Sequence, residues 1–221
     1  MTSSLPPRSL QLFRGSALFG YRSHEEKHRL SKSRLEAFSD GVLAIIITIM
    51  VLELHIPQGR EIGALRPILP ALLSYLLSFV YVGIYWNNHH HLLHATRQVR
   101  GGVLWANLHL LFWLSVLPFA TGWMGESGFA PDPTALYGMI LLMSGIAYWI
   151  LVRTIISGEG QDSLVKKAIG RDRKGIISVV MYAVAIPCCF FAHWIANSIY
   201  LLVALVWLIP DRRIERLLAS E

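Results

Sequence analysis

The sequence predicts an all-α membrane protein with six transmembrane helices and both termini in the cytoplasm. Three observations support this prediction. Of the 221 residues, 54% are hydrophobic and only 15% are charged, whereas soluble domains carry roughly 25% charged residues. The chain also contains six apolar segments separated by short polar loops. Finally, six crossings place nearly all of the basic loops on one side of the membrane.

Each apolar segment is tested against the roughly 20 residues that a helix needs to cross about 30 Å of hydrocarbon. The predicted spans are 34–54, 67–90, 103–124, 134–156, 175–195 and 197–209. The last two are hard to separate, because residues 176–209 contain no Lys, Arg, Asp or Glu. One helix of that length would measure about 50 Å, which is too long for a bilayer without extreme tilt. We therefore expect a tight turn near residues 196–198 and a short sixth helix.

The loop charges define the orientation and the domain organisation. Clusters of Lys and Arg mark cytoplasmic segments, and they occur in the N-terminal tail, the second and fourth connections and the C-terminal tail. The opposite side receives Arg60 and Arg66, the acidic Glu126 and Asp132, and an uncharged last loop. The predicted domains are a disordered basic cytoplasmic tail over 1–31, a transmembrane domain over 32–210 and a short cytoplasmic tail over 211–221.

Composition and motifs argue against several functional classes. The net charge of +6 would suit nucleic-acid binding, but the basic residues lie in short loops, as topology signals do. Cys188 and Cys189 are adjacent and provide neither a disulfide framework nor a metal motif. The sequence contains no Walker loop, nucleotide fingerprint, nucleophile elbow or zincin motif. We therefore expect no catalytic residues, no bound metal, no cofactor and no enzymatic activity.

A histidine cluster at the end of the second predicted helix leaves an alternative open. His90 and His94 are four residues apart and share a helix face, as metal or haem ligands would. An intramembrane haem- or metal-binding redox protein built on the cluster at residues 89–94 is therefore one alternative, and a secondary transporter is another. A plainer interpretation is that histidines at a cytoplasmic helix end complement the helix dipole and the anionic lipid surface. Within the third helix, Asn107 and His109 are expected to form interhelical hydrogen bonds.

The first predicted helix carries an aliphatic stripe with a single hydroxyl. On an ideal helix, Ile45, Thr48, Ile49 and Leu52 fall within about 100° of one another. Spacing alone favours ordinary packing or lipid contact for this stripe.

Two charged residues lie near the start of the same helix. Arg34 and Asp40 are six positions apart and point in different directions, so they are poor partners for each other. We therefore expect each of them to have a partner on another helix or subunit.

The start of this helix carries a motif. Residues Arg34-Leu-Glu-Ala-Phe38-Ser39-Asp40 resemble the R-x-x-x-F-S-D signature of the transmembrane protein 175 family of potassium channels. A Y-W-x-x-H element from residue 85 and a P-F-x-T element from residue 118 agree with that resemblance. It covers about residues 32–210.

The resemblance implies a passive potassium channel in the cell inner membrane, with modest selectivity for potassium over sodium. Its subunits form a homotetramer in which the first helix lines a central pore, and its partners are the lipid bilayer and permeant potassium ions. No TVGYG-like filter is present. Carried over from the family, Ile45 forms the tightest ring, Thr48 supplies a hydroxyl ring, and Ile49 and Leu52 extend this hydrophobic filter.

The resemblance also assigns a network that holds helices and subunits together without touching the ion. Its members are Arg34, Phe38, Ser39, Asp40, Trp86, His89 and His90.

Overall fold

A computed structural model describes residues 32–160, 163–169 and 172–209. Within these ranges the chain is almost entirely helical and contains no strand. The predicted tails over 1–31 and 211–221 lie outside the described residues. The prediction of an all-α membrane protein is confirmed for the part of the chain that the structure describes.

Six α-helices and one 3-10 helix make up the described fold. In chain order they are α1 (Lys32–Leu52), the 3-10 helix (Ile62–Ile68), α2 (Leu69–Ala95), α3 (Gly101–Glu126), α4 (Pro131–Glu159), the short α5 (Leu164–Ile169) and α6 (Arg173–Leu208). Five helical segments among the described residues are long and apolar enough to cross a membrane. The sequence predicted six, and the difference lies in α6, which combines the last two predicted spans.

α6 folds back on itself at Ala192, whose φ of −156° and ψ of 78° are not helical. Trp207 Nε1 donates a hydrogen bond to Ser178 Oγ at 2.8 Å, across 29 residues. A straight helix would separate these two residues by about 43 Å, so α6 consists of two antiparallel limbs, residues 173–191 and 193–208. The turn predicted near residues 196–198 therefore lies a few residues earlier, and Ala196 is buried in the second limb.

Contacts between helix termini gather the basic residues at one end of the bundle, called the basic end below. Lys32 Nζ, at the start of α1, donates to the carbonyl of His94 at the end of α2 at 2.7 Å. The Arg97 N–H, between α2 and α3, donates to Glu159 Oε1 at the end of α4 at 2.6 Å. The described basic residues of this end are Lys32, Arg34, Arg97, Arg100, Arg153, Lys166, Arg173 and Lys174.

Buried tyrosines join α2, α4 and both limbs of α6. The Tyr81 hydroxyl donates to the Tyr200 carbonyl at 2.6 Å, and the Tyr137 hydroxyl lies 3.0 Å from Ser78 Oγ. The rings of Tyr182 and Tyr200, on opposite limbs of α6, have centroids 6.3 Å apart. Aromatic rings fill the space between these helices, and their hydroxyls find partners inside the bundle, as a low-dielectric interior requires.

The close approach of α4 to the second limb of α6 depends on Gly138. A β-carbon at this position would overlap the hydroxyl and ring of Tyr200. Tyr200 donates to the Thr134 carbonyl one turn earlier at 3.3 Å, so its hydroxyl lies against the backbone of α4. Small residues at such crossings let membrane helices approach closely enough for extensive van der Waals contact.

Gly138→Ala is expected to destabilise the protein by about 1–3 kcal/mol, because the added methyl group overpacks the α4–α6 contact. Thermal unfolding of the purified protein in detergent measures this loss as a lower Tm. Adding Tyr200→Phe removes the clashing hydroxyl, so the double variant should be less destabilised than the sum of the two single variants. Gly83→Ala is the matched control, because nothing lies within 4 Å of its added methyl group. Equal Tm values for Gly138→Ala and Gly83→Ala would contradict this account.

Candidate functional site

The candidate site is α1, which has one packed face and one bare face. Leu43, Ile46 and Met50 are buried against the bundle. On the opposite side, Ile45 is 60% exposed and Leu52 is 76% exposed. Because a lone protomer leaves this side uncovered, another molecule or lipid must cover it in the membrane.

All four residues of the predicted filter lie on the bare face. Ile45, Thr48, Ile49 and Leu52 are exposed in the protomer and follow one another along it. Thr48 Oγ1 donates its proton to the Ala44 carbonyl at 2.9 Å. The hydroxyl lone pairs therefore remain available to accept a contact from outside the helix.

The motif at the start of α1 divides its residues among three directions. Arg34 and Phe38 are exposed and lie on the same side as Ile45. Ser39 is fully buried and points into the bundle. Asp40 points sideways to α2, where Oδ1 accepts a hydrogen bond from Trp86 Nε1 at 3.0 Å. Within two helical turns, the motif therefore directs Ser39 and Asp40 at other helices of the bundle and leaves Arg34 and Phe38 on the bare face.

Ser39 belongs to a buried hydrogen-bond chain that ties α1 to α3 and α2. Asn107 Nδ2 donates to Ser39 Oγ at 2.9 Å, and Asn107 Oδ1 lies 2.6 Å from His89 Nε2. Ser39 Oγ in turn donates to the Leu35 carbonyl at 2.8 Å. The amide oxygen can only accept, so Nε2 of His89 carries the proton. Ser39, Asn107 and His89 are all at most 2% exposed, which makes every bond of this chain costly to break.

A second set of aromatic residues lines the exposed side of α2 near the basic end. The rings of Trp86 and His90 stack with centroids 6.0 Å apart, and those of His90 and His94 stack at 6.2 Å. Because Trp86 also donates a hydrogen bond to Asp40, the stack of rings on α2 is connected to α1. The structure thus brings together five of the seven network residues, in two branches, and leaves Arg34 and Phe38 on the bare face of α1.

The geometry gives no support to metal or haem binding by the histidines. Among the described residues, no group of three or more His, Cys, Asp or Glu side chains is arranged to hold a metal ion. The rings of His90 and His94 lie 16° from parallel, face to face, whereas ligands of one ion direct their nitrogens to a common point. His109 accepts a bond from Trp113 Nε1 within α3 at 3.0 Å, so its predicted interhelical bond is wrong. The interhelical bonds predicted for Asn107 are confirmed.

Sequence reasoning identified Asn107 as a polar group but did not place it in the network. It is the central member of the Ser39–Asn107–His89 chain. The sequence contained one usable signal, because a carboxamide within an apolar helix needs partners at its own depth. All three residues lie within about two turns of the basic end of the bundle, Ser39 and Asn107 near the starts of α1 and α3 and His89 near the end of α2.

The sequence of the chain is similar to those of known ion channels. Residues 34–118 match the family model described as "Endosomal/lysosomal potassium channel TMEM175". A potassium channel of Chryseobacterium sp. (strain P1-3) is 58% identical over 192 residues, which cover 87% of this chain and all of that protein. The chain belongs to the TMEM175 family of potassium channels. The resemblance seen in the motif is thereby confirmed, and the TMEM175 family consists of ion channels rather than enzymes, as predicted.

A solved structure extends the TMEM175 match to the whole fold. The crystal structure of a lysosomal potassium-selective channel TMEM175 homolog from Chamaesiphon minutus superposes with a TM-score of 0.69 at 25% identity, covering 82% of this chain and 98% of that one. The human endosomal/lysosomal proton channel TMEM175 is 36% identical over 129 residues, 52% of this chain but only 24% of the human protein.

Asn107→Ala is expected to cost about 1–3 kcal/mol of stability, because it leaves the buried polar groups of Ser39 and His89 without their partner. A lower Tm of the purified protein measures this loss. Asn87→Ala is the matched control, because Asn87 is exposed and makes no hydrogen bond within the described ranges. A Tm for Asn107→Ala equal to that of Asn87→Ala would show that the chain contributes nothing to stability.

Proposed function

We propose that this protein is a passive potassium-permeable channel in which α1 lines the pore of a homotetramer. The observation that carries the proposal is the bare face of α1, which runs from Arg34 to Leu52 while the opposite face is packed. In a closed cyclic assembly the same face of every copy surrounds the symmetry axis. Four copies of α1 would then enclose a path lined by Ile45, Thr48 and their neighbours.

The proposed topology has six crossings with both termini in the cytoplasm. The two antiparallel limbs of α6, joined at Ala192, act as two separate spans. With six spans the basic end meets the cytoplasm, in keeping with the preference of Lys and Arg for that side. The bacterial origin of the 58% identical relative supports placement in a bacterial inner membrane.

The proposed filter selects by the cost of removing water from the ion. A ring of Ile45 side chains offers no oxygen ligands, so an ion passes it only by giving up part of its hydration shell. Potassium holds its water less tightly than sodium, and this difference favours potassium modestly. One turn further on, Thr48 hydroxyl groups with free lone pairs offset part of this dehydration cost. Ile49 and Leu52 extend the apolar path.

The proposed assembly also accounts for Arg34 and Phe38. Arg34 makes no ion pair or hydrogen bond within the described residues, and it lies on the bare face with Phe38. In the proposed assembly this face meets the neighbouring copies around the symmetry axis. We therefore assign both side chains to contacts with a neighbouring subunit at the basic end of the pore.

Flux measurements test the channel proposal. Purified protein is reconstituted in liposomes, and release of potassium down its gradient is compared with release of sodium under the same ionophore conditions. Potassium release should exceed sodium release, and both should exceed the leak of empty liposomes. A pH-sensitive dye in the same liposomes measures proton entry, since the vertebrate relative is named a proton channel. Release no faster than from empty liposomes would refute the proposal.

Ile45→Asn is expected to raise single-channel conductance and weaken the preference for potassium, because an amide lowers the dehydration barrier at the tightest ring. Bilayer recording measures both quantities. The matched control is Ile177→Asn, because Ile177 is similarly exposed in the protomer but belongs to α6 rather than to α1. A conductance for Ile45→Asn indistinguishable from that of Ile177→Asn would remove Ile45 from the pore.

Thr48→Val keeps the shape of the side chain and deletes its hydroxyl. If Thr48 contacts the ion, the potassium current should fall, by roughly the tenfold that 1.4 kcal/mol of lost stabilisation at the barrier would produce. Thr48→Ser retains the hydroxyl and should conduct nearly as well as the wild type. Normal currents through Thr48→Val would mean that the hydroxyl does not face the ion path.

A further inference from the structure

A cavity of about 430 Å³ lies between α2, α4 and α6 in the half of the bundle near the basic end. It is separate from the bare face of α1, because none of its lining residues belongs to that helix. The volume falls in the range of sites that hold small organic ligands, about 300–1,000 Å³. Apolar and aromatic side chains form most of its wall, among them Ile84, Tyr85 and Val179.

The cavity opens sideways, through the outer surface of the bundle. Ile176 and Val180, on the first limb of α6, line it and are both more than half exposed. Trp149 of α4 forms the other edge and is also exposed. In a membrane-spanning bundle, an apolar surface of this kind faces acyl chains, so a ligand reaches the cavity from within the bilayer.

Two charged residues, Arg153 and Asp172, line the end of the cavity nearest the basic end. The Arg153 guanidinium lies over the Trp149 ring, 5.3 Å from its centroid, and forms no ion pair within the described residues. Asp172 also lines the cavity, but its carboxylate accepts the Gly175 N–H at 2.9 Å and caps the first turn of α6. Arg173 follows it and is exposed. Within the cavity wall, Arg153 therefore has no ion-pair partner among the described residues, and the Asp172 carboxylate is already hydrogen-bonded.

We propose that the cavity binds one acyl chain of an anionic phospholipid from the leaflet at the basic end, with the lipid phosphate at Arg153. The chain fills the apolar space between Tyr85 and Val179, and the phosphate takes the place of the missing partner of the guanidinium. Basic pockets between transmembrane helices on the cytoplasmic side are suited to anionic head groups, and Arg is the side chain best shaped to bind phosphate.

The bound lipid supports the same helix that holds α1 in place. Tyr85 and Asn88 line the cavity, while the residues next to them, Trp86 and His89, bond to Asp40 and Asn107 on other faces of α2. Filling the cavity restores packing on the free side of α2. The lipid therefore stabilises the fold whether or not the protein conducts potassium.

Native mass spectrometry tests the proposal with phosphatidylglycerol and phosphatidylcholine of identical chains, added to delipidated protein in detergent. Wild-type protein should retain phosphatidylglycerol and gain thermal stability from it, with a weaker effect from phosphatidylcholine. Arg153→Gln should lower retention of phosphatidylglycerol by about fivefold, the contribution of one basic residue near a membrane surface. Arg97→Gln is the matched control, because Arg97 is exposed at the same end and does not line the cavity, and its retention should equal that of wild type.

Gly145→Leu tests the acyl-chain site independently of the charge. Its side chain would extend into the cavity close to Val179, whose Cγ2 lies 3.4 Å from a β-carbon built at this position. Retention of both lipids should fall while the Tm without added lipid stays at or above that of wild type. Undiminished retention by Gly145→Leu, or equal retention of the two lipids by wild type, would overturn the proposal. Since lipid retention is measured without ion flux, failure of the channel proposal would leave this result intact.

Discussion

The hydrogen-bond chain from Ser39 through Asn107 to His89 sets the orientation on which the rest of the site depends. An apolar helix in a bilayer has no preferred rotation about its axis, because its side chains gain little free energy by leaving lipid for the surface of another apolar helix. Three buried polar groups that satisfy one another remove that freedom. With Ser39 directed at α3, the side of α1 that carries Ile45 and Thr48 must face away from the protomer.

The bond between Asp40 and Trp86 fixes the same rotation from a second direction. Ser39 and Asp40 are adjacent, so their side chains diverge by about 100° and bond α3 and α2 separately. Hydrogen bonds from two successive residues to two different helices define the rotation of α1 about its axis more firmly than two bonds on one face would. This geometry is the physical reason for a compact signature at the start of α1. Ser39 and Asp40 fix the rotation of the helix, while Arg34 and Phe38 lie on the same side as Ile45.

The sequence predicted most of the fold, and its failures have identifiable causes. Apolar length located α1 to α4 to within a few residues, because the bilayer demands a minimum run of hydrophobic side chains. The fold-back of α6 was expected near residues 196–198 and occurs at Ala192, since neither Gly nor a charged residue marks the turn. Helical periodicity predicted that Ile45, Thr48, Ile49 and Leu52 form one stripe of α1. It did not predict that this stripe is exposed in the protomer, because the exposure depends on which residues of α1 bind Asn107 and Trp86.

In the proposed six-crossing topology, the short second limb of α6 has a mechanical consequence for the surrounding lipid. Residues 193–208, about 16 in number, reach roughly 24 Å as a helix, several ångströms less than the hydrocarbon layer of a typical bilayer. Where this limb forms the perimeter, annular lipids must compress or tilt to meet it, at a cost of a fraction of a kcal/mol per ångström of mismatch. In that topology the protein would thin the membrane along one flank, and copies that share that flank would reduce the total elastic deformation.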